Sequence, residues 1–189
     1  MVDDPLRARV REIVERVLRE QNIVVAEAHA RAAAECSDPL TIAIGADHGG
    51  FDLKGVLIQA LTAREYRVLD CGTFSPDPVD YPDIAYAVAK LVSDGAAWRG
   101  IILDGAGIGS GMVANKVPGV RAANCNDVKM AHNAREHNDA NVLTLGAKMV
   151  DAHTALEIVR IFLTTECTEA RHKKRVAKIM DVERRYLRK

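Results

Sequence analysis

The sequence has few aromatic residues, no excess of either charge and no long apolar run. Phenylalanine, tryptophan and tyrosine make up 4% of its 189 residues, whereas hydrophobic residues as a whole make up 48%. Alanine, valine, isoleucine and leucine therefore carry the core, which is typical of an aliphatic parallel sheet covered by helices and not of an aromatic-rich sandwich. The sequence contains no run of about 18 apolar residues, so we expect no membrane-spanning helix.

The charges balance, since 26 lysines and arginines face 26 aspartates and glutamates. Such a chain has no overall attraction to nucleic acid or to an anionic membrane, so neither is expected as a partner. The four cysteines, Cys36, Cys71, Cys125 and Cys167, form no Cys-x-x-Cys pair. Their spacing predicts neither a disulfide framework nor a metal cage and favours reduced thiols in the cytoplasm. The first residues are acidic and then charged throughout, which predicts no secretory signal sequence.

The first 21 residues predict an amphipathic helix. Asp4 can cap its first N–H groups, and Pro5 suits the first helical position. Apolar residues at helical spacing form one stripe, and the opposite face holds arginine and glutamate. The stripe consists of Leu6, Val10, Ile13, Val14, Val17 and Leu18. An alanine-rich segment, residues 22–38, is interpreted as a linker, which leaves residues 39–189 as the main domain.

Residues 39–189 alternate between short, β-rich apolar runs and helical segments. The predicted strands are 41–45, 66–70, 100–104, 119–125 and 141–146. The predicted helices are 51–63, 83–93, 152–164 and 172–187. Strands that alternate with helices predict an α/β fold with a doubly wound parallel sheet, whose binding loops lie at the carboxyl ends of the strands.

Two polar residues and two glycines follow the first predicted strand. Asp47 and His48 lie where open α/β sheets bind ligands. A carboxylate can accept a hydrogen bond from a sugar hydroxyl, and histidine can bind or move protons near neutral pH. The alternative is a structural turn in which Asp47 caps the next helix while Gly49 and Gly50 shape the bend. The local sequence leaves both interpretations open.

A glycine-rich segment, residues 104–111, follows the third predicted strand. Backbone N–H groups in such a loop, at the start of a helix, favour an anion or a developing oxyanion. A dinucleotide-binding fingerprint is the competing interpretation, because Gly105 and Gly107 fit its beginning. It is the weaker of the two, since Ser110 stands where the third glycine belongs and Pro118-Gly119 would end the following helix too early for a usual crossover.

Two further groups of polar residues lie in the second half of the sequence. His132 and His137 are five residues apart, which separates them on a helix and argues against a zinc pair. His137 opens the run HNDAN, which suits hydroxyl recognition and proton transfer or, alternatively, a hydrogen-bonded turn before the fifth strand. Arg171 and Arg175 lie four apart, hence on one helix face, where they can clamp a phosphate or form a solvated surface.

Together these segments resemble the ribose-5-phosphate isomerase B and galactose-6-phosphate isomerase family. Each matching piece alone is weak, whereas five pieces in family order, from Thr41 to near the end of the chain, are specific. The pieces are IAIGADHGGFDLK (42–54), DCGTFSPDPVDYPD (70–83), the glycine loop with ANKVPGVRA (114–122), EHNDANVLTLGAKMV (136–150) and RHKKRV (171–176).

The resemblance implies a Rossmann-like fold that needs no metal and no other cofactor. It implies an aldose–ketose isomerase for a phosphorylated sugar, with ribose 5-phosphate and ribulose 5-phosphate as the first expectation. It also implies a dimer, or a tetramer of dimers, in which two subunits share each active site. Transferred position by position, it assigns sugar and phosphate contacts to Asp47 and His48, and stabilisation of the enediolate to Gly105, Gly107 and Gly109. It assigns further substrate contacts to Ser110 and Asn115. It assigns the opening of the sugar ring to His137, beside Asn138, and the phosphate clamp to Arg171 and Arg175.

The sequence departs from the family at the residue that moves the proton. Many members have cysteine where this chain has Asp104, and others have glutamate where it has Ser110, while Ala106 replaces the usual hydroxyl residue. Isomerisation removes a proton from the carbon next to a carbonyl and returns it to the neighbouring carbon, which a carboxylate can do, so Asp104 is the expected base. The alternatives are a catalytically degenerate sugar-phosphate-binding subunit, as in the branch that pairs two homologous chains, or an isomerase for another phosphorylated pentose or hexose.

The N-terminal helix is an addition to the family-like region. Its apolar stripe needs a partner, because a free helix of this length is marginal in water. It can fold back on its own domain, pair with the same helix of another subunit, or dock in a groove of a different protein. With its alanine-rich linker, it resembles the encapsulation peptides that carry enzymes into bacterial microcompartments, which implies a shell protein as its partner.

Overall fold

The computed structural model describes residues 40–187. The predicted helix over residues 1–21 and the linker over residues 22–38 lie outside this range. In chain order the described elements are β1 (Thr41–Ala46), α1 (Phe51–Thr62), β2 (Arg67–Asp70), α2 (Tyr81–Ser93), β3 (Arg99–Asp104), α3 (Ile108–Ala114), β4 (Ala122–Asn124), α4 (Val128–Asn138), β5 (Val142–Gly146), α5 (Ala152–Thr164) and α6 (Ala170–Leu187).

The five strands form one parallel sheet in the order β2-β1-β3-β5-β4. The predicted Rossmann-like α/β fold is therefore confirmed. The chain passes from β1 to β2 on one side and then crosses to β3 on the other side of β1. This reversal opens a crevice at the carboxyl ends of β1 and β3, where open α/β sheets bind ligands.

The core lies on the two central strands and on the helices that cover them. Ile42, Ile44, Ile101 and Leu103 are fully buried, as expected for strands that helices cover on both faces. The carboxylate of Asp151 caps α5 by accepting the N–H of Thr154. Its buried stripe lies on one helix face and consists of Ala155, Ile158, Val159, Phe162 and Leu163.

β4 is shorter than predicted, covering Ala122–Asn124 and not residues 119–125. Gly119 adopts a positive φ of 79°, which ends the preceding turn and not a strand. The N–H of Arg121 then donates to the side-chain oxygen of Asn141 at 2.7 Å, so it makes no ladder hydrogen bond. Only three residues remain to pair with β5.

The helix α4 was not predicted, because its sequence carries almost no apolar periodicity. Its buried residues are Ala131, Ala134 and Arg135, two small side chains and one charged one. The carboxylate of Asp127 accepts the N–H of Met130 at 2.8 Å and caps the start of the helix. At the other end, Asp139 takes a left-handed conformation with φ 46°.

Within residues 40–187, none of the helices has both the length and the apolar character required to cross a membrane.

Candidate active site

Two turns meet in the crevice between β1 and β3. The N–H of Asp47 donates to the carbonyl of Leu103 at 3.0 Å, which joins the end of β1 to β3. A Cβ added at Gly49 would lie 3.7 Å from the backbone nitrogen of Gly105, so the two turns are in contact. We call Asp47, His48 and residues 104–110 the strand-edge cluster.

Asp47 shapes its own turn and still faces the crevice. Its Oδ1 atom accepts the N–H groups of Gly49 at 2.8 Å and Gly50 at 3.1 Å. The carboxylate therefore shapes the turn as expected, but the expectation that Asp47 caps α1 is wrong, because Gly50 is the N-cap and no side chain caps this helix. The side chain is not entirely buried, and Oδ2 retains its lone pairs for a ligand hydroxyl.

His48 connects the crevice to the loop that precedes α2. Its Nδ1 atom accepts the N–H of Val79 at 3.4 Å. A neutral imidazole that accepts at Nδ1 carries its proton on Nε2. That N–H can donate to a phosphate or a sugar hydroxyl in the crevice.

The loop beside His48 is held in place by a buried lysine. The Nζ atom of Lys54 lies 2.6 Å from Oδ1 of Asp70 and donates to the carbonyl of Thr73 at 2.8 Å. Lys54 is 3% exposed, so its charge depends on these partners for solvation. The pair therefore fixes the start of the segment that carries Val79 and Tyr81.

Asp104 ends β3, and its carboxylate organises the glycine loop that follows. Oδ1 accepts the N–H groups of Ala106, at 2.8 Å, and of Gly107. Oδ2 accepts the N–H of Ser110 at 3.0 Å. One carboxylate therefore neutralises three of the backbone dipoles that would otherwise attract an external anion.

The same contacts control the ionisation of Asp104. Burial raises the pKa of this carboxyl, but hydrogen bonding from Ser110, Gly107 and Ala106 outweighs the burial and holds the pKa below its ordinary value. Asp104 is therefore ionised at neutral pH, the form that a general base needs. The hydrogen bonds also make it a weaker base than a free carboxylate.

Gly107 was expected to stabilise the enediolate through its N–H group. That N–H already donates to Asp104, so it is not free for this role. Gly107 has a φ of 76°, and a Cβ at this position would collide with the amide of Asn124. The competing dinucleotide interpretation is not favoured either, since Asp104 occupies the N–H groups of Ala106, Gly107 and Ser110, and α3 ends at Ala114 after seven residues. Gly105 and Gly109 stay candidates for binding an oxyanion.

Two expected substrate contacts do not face the crevice. The side chain of Ser110 is fully buried, and its hydroxyl faces the Asp104 carboxylate and helps to lower the pKa of that group. The amide of Asn115 donates to the carbonyl of Ala122 and accepts its N–H, at 3.0 and 2.8 Å. The structure gives both residues a structural role, because Ser110 is enclosed and Asn115 replaces a strand partner for β4.

Three residues beside the loop were not singled out from the sequence. A Cβ at Gly109 would lie 2.6 Å from the ring of Tyr81, which therefore covers this glycine. The amide of Asn124 donates to the carbonyl of Ala106 at 3.2 Å. The alkyl chain of Lys148 passes Gly105 and brings a positive charge to the loop. Tyr81 begins α2, Asn124 ends β4 and Lys148 follows β5, all at the carboxyl ends of the strands, which is the signal that could have identified them.

His137 and Asn138 lie at the end of α4, next to the start of α6. The rings of His137 and His172 are stacked, with centroids 4.2 Å apart. Arg171 and Arg175 lie four residues apart within α6, on either side of His172, and both are exposed. Because this spacing places two residues on one face of a helix, the prediction that they share a helix face is confirmed. We call His137, Asn138, Arg171, His172 and Arg175 the helix cluster.

The two clusters lie at opposite ends of the strands, with the strand-edge cluster at the carboxyl ends and the helix cluster near the amino ends. The carbonyl of Asn138 accepts from Arg121, which precedes β4, and Asp139 lies 4.0 Å from Arg99, the first residue of β3. Asp104 is the last residue of that strand. With a rise of about 3.3 Å per residue, the two ends of β3 are roughly 17 Å apart. One chain therefore cannot bring His137 and Asp104 to the same small sugar.

Two of the described cysteines are poorly suited to act as nucleophiles, and the described residues form no metal site. Burial, as the largest cause, raises the thiol pKa of Cys71 and of Cys125 to about 12, so neither is a thiolate at neutral pH. Over residues 40–187, no group of three or more histidine, cysteine, aspartate or glutamate side chains is arranged to hold a metal ion.

Comparison with known proteins agrees with this arrangement of motifs. A family model described as Ribose/Galactose Isomerase matches residues 42–179. The chain belongs to this family. Its five-stranded sheet also matches a solved ribose-5-phosphate isomerase B from Clostridium thermocellum, at 46% identity and a TM-score of 0.76, over 78% of this chain and 99% of that chain.

Two of the relatives are named for different sugar phosphates. Ribose-5-phosphate isomerase B of Escherichia coli is 40% identical over 144 residues, which are 76% of this chain and 97% of the relative. The D-erythrulose-4-phosphate isomerase of Pectobacterium atrosepticum is 44% identical over 131 residues, 67% of this chain and 84% of the relative. The protein is an isomerase of the family, and its relatives act on phosphorylated sugars of different length.

Proposed function

We propose that the protein interconverts ribose 5-phosphate and ribulose 5-phosphate. The observation that carries this proposal is the position of Asp104, an ionised carboxylate at the carboxyl end of β3 and next to the Asp47–His48 turn. Relatives from Escherichia coli and Clostridium thermocellum carry the name of this activity. The family model matches residues 42–179, a range that includes all five family-like sequence pieces.

Asp104 acts as the base in this proposal. Oδ2 accepts one backbone N–H and keeps a lone pair that can take the proton from C2 of the open-chain aldose. The C2–H electron pair forms the C1=C2 bond of an enediolate while the C1=O1 π pair moves onto O1. The O2–H proton then passes to O1, the electron pair left on O2 forms the C2=O2 carbonyl, and the C1=C2 pair takes the proton back from the same carboxyl at C1. Because Asp104 occupies three loop N–H groups, Gly105 and Gly109, with Lys148 beside them, are assigned to the enediolate oxygens.

The helix cluster supplies the remaining groups. Arg171 and Arg175 bind the phosphate by charge-assisted hydrogen bonds, and His137 opens the sugar ring beside Asn138. Asp47 and His48 hold the sugar at the strand edge. Since the two clusters lie at opposite ends of the strands of one sheet, we propose that a homodimer unites the strand-edge cluster of one subunit with the helix cluster of the other.

The test is a panel of phosphorylated tetroses, pentoses and hexoses, with ketose formation measured on the purified chain. Turnover of ribose 5-phosphate well above the other sugars supports the proposal. A preference for a tetrose 4-phosphate would favour the activity named for the Pectobacterium relative. If the chain binds sugar phosphates but turns over none, it is a degenerate binding subunit.

We also propose that residues 1–21 are a docking helix that carries the enzyme to a microcompartment shell protein within the bacterial cytoplasm. The solved Clostridium relative is covered over 99% of its length by 78% of this chain, and the family match begins at residue 42, so the N-terminal residues have no counterpart there. Deletion of residues 1–38 is expected to leave turnover unchanged and to abolish co-assembly with shell proteins. Loss of activity would instead assign these residues to the catalytic body.

A further inference from the structure

The imidazole of His137 is held at both ring nitrogens by neighbours on its own helix. Nδ1 lies 2.8 Å from Nδ2 of Asn133, one turn earlier, and Nε2 lies 3.2 Å from Oε2 of Glu136. We propose that Glu136 and Asn133 are positioning residues that fix His137 in one tautomer, with the proton on Nε2 and a lone pair at Nδ1.

The two contacts favour the same tautomer. The negative charge of Glu136, 3.2 Å from Nε2, favours a hydrogen on that nitrogen. A neutral imidazole has one N–H, so Nδ1 must then be the acceptor. The side chain of Asn133 can supply the matching N–H, and its amide donors point at Nδ1. A leucine at position 133 would leave this nitrogen without a donor.

Glu136 and His172 limit the remaining freedom of the ring. The Glu136 carboxylate also lies 3.4 Å from Nδ1 of His132, so it is anchored on both sides. The His172 ring stacks on His137 with 26° between the planes and is 3% exposed. Among the described residues, neither ring nitrogen of His172 has a hydrogen-bond partner. His172 therefore acts as a flat packing surface that restrains rotation of His137 and leaves the proton position to Glu136 and Asn133.

The tautomer matters for ring opening, and this step rests on the proposed function. In the furanose form of ribose 5-phosphate, the O1–H proton must leave while the C1–O4 bond breaks. The O1–H electron pair forms the C1=O1 carbonyl, and O4 receives a proton. When the O1–H of the bound sugar replaces the Asn133 N–H at Nδ1, this nitrogen can take the proton from O1 and return it to O4, so the imidazole is unchanged at the end. The opposite tautomer would present N–H to O1 and could not accept.

The first experiment reads the tautomer without any turnover. In protein labelled with ¹⁵N-histidine, above about pH 8 where an unperturbed imidazole is neutral, Nε2 of His137 should resonate as a protonated nitrogen and Nδ1 as an unprotonated one. The signals are assigned by their loss in His137→Gln. Asn133→Leu and Glu136→Gln should each raise the share of the Nδ1–H tautomer relative to the parent. An Nδ1–H tautomer in the parent, or no change in either variant, would overturn the proposal.

The second experiment separates a role in ring opening from a merely structural one. Ribose 5-phosphate closes to a ring, whereas erythrose 4-phosphate cannot close a five-membered ring because its O4 carries the phosphate. Asn133→Leu should lower kcat for the pentose by about tenfold and leave the tetrose unchanged. Lys129→Leu, an exposed change one turn earlier on α4, is the matched control and should alter neither.

Equal losses with both sugars would reject the role in ring opening. If the parent turns over only one of the two sugars, or neither, the tautomer measurement alone decides whether Asn133 and Glu136 position His137. Absence of turnover with every sugar counts against the proposed function. The two proposals therefore fail in distinguishable ways.

Discussion

Oδ2 of Asp104 accepts the backbone N–H of Ser110 at 3.0 Å, which links the end of β3 to the first turn of α3. Oδ1 of the same carboxylate accepts the N–H groups of Ala106 and Gly107. The carboxylate therefore does two things at once. It shapes the glycine loop, and it stays ionised at the position proposed for the base.

Replacing Asp104 by asparagine should separate these two roles. The carboxamide keeps the shape and an acceptor oxygen but loses the basicity, so we expect kcat to fall on the order of 10²-fold or more. Asp104→Cys should retain measurable turnover, because a thiol can ionise and serve as the base found in many family members. The measurement is ketose formation under saturating sugar phosphate, with circular dichroism to verify the fold.

Asp127→Asn is the matched control, since Asp127 also accepts a backbone N–H after a strand but caps α4 away from the proposed chemistry. It should retain wild-type turnover. Near wild-type kcat in Asp104→Asn would show that another group moves the proton.

Acid should weaken the fold partly through Asp104. Hydrogen bonds hold the folded pKa of this carboxyl below its ordinary value of 3.8 in spite of burial, which acts the other way. A depressed folded pKa means that Asp104 stabilises the protein above its unfolded pKa and that this stability is lost as the pH falls through the folded pKa. The unfolding free energies of the parent and Asp104→Asn, measured in urea from about pH 6 to about pH 2, should therefore converge in acid. A constant difference would contradict this assignment.

Arg175 is expected to bind phosphate and to contribute little to the fold, because its side chain is exposed on α6. Arg175→Ala should raise KM for the phosphorylated sugar by roughly tenfold to a hundredfold, the loss of a charge-assisted hydrogen bond. Lys178→Ala removes an exposed positive charge one turn later and is the control for a general effect of charge. Equal turnover of the unphosphorylated sugar by the parent protein would refute the clamp.

The elements that were predicted well are those whose apolar spacing is regular. Helix α5 has the predicted bounds, 152–164, because Ile158, Phe162 and their neighbours form a clear stripe. Helix α4 was missed, because the charged Arg135 is buried where a stripe would require an apolar residue. The guanidinium of Arg135 donates hydrogen bonds to the carbonyls of Ala140 and Thr165. These hydrogen bonds take the place of apolar contacts, and only apolar contacts would have left a pattern in the sequence.

The residue types of the candidate site were predicted, but the orientations of its side chains and the distances between them were not. Asp47 could be recognised because it follows a predicted strand, and Asp104 because it ends one. The orientation of Ser110 and Asn115 depends on where their neighbours pack, which residue order does not encode. The separation of His137 from Asp104 depends on α4 running from the carboxyl edge of the sheet to the other edge, and this helix was absent from the prediction.

That separation leads to the last prediction, which tests whether two subunits share each site. Asp104→Asn should inactivate the strand-edge cluster, and His137→Gln the helix cluster, so each homodimer should be nearly inactive on ribose 5-phosphate. When the two variants are unfolded together and refolded as a mixture, random pairing gives half heterodimers. Each heterodimer contains one site with both substitutions and one site with neither. The mixture should therefore recover about a quarter of the parent activity if a two-fold dimer shares its sites. Mixing the folded variants without exchange of subunits is the control and should give no gain. If each chain held a complete site, every site would keep one substitution and the refolded mixture would stay inactive.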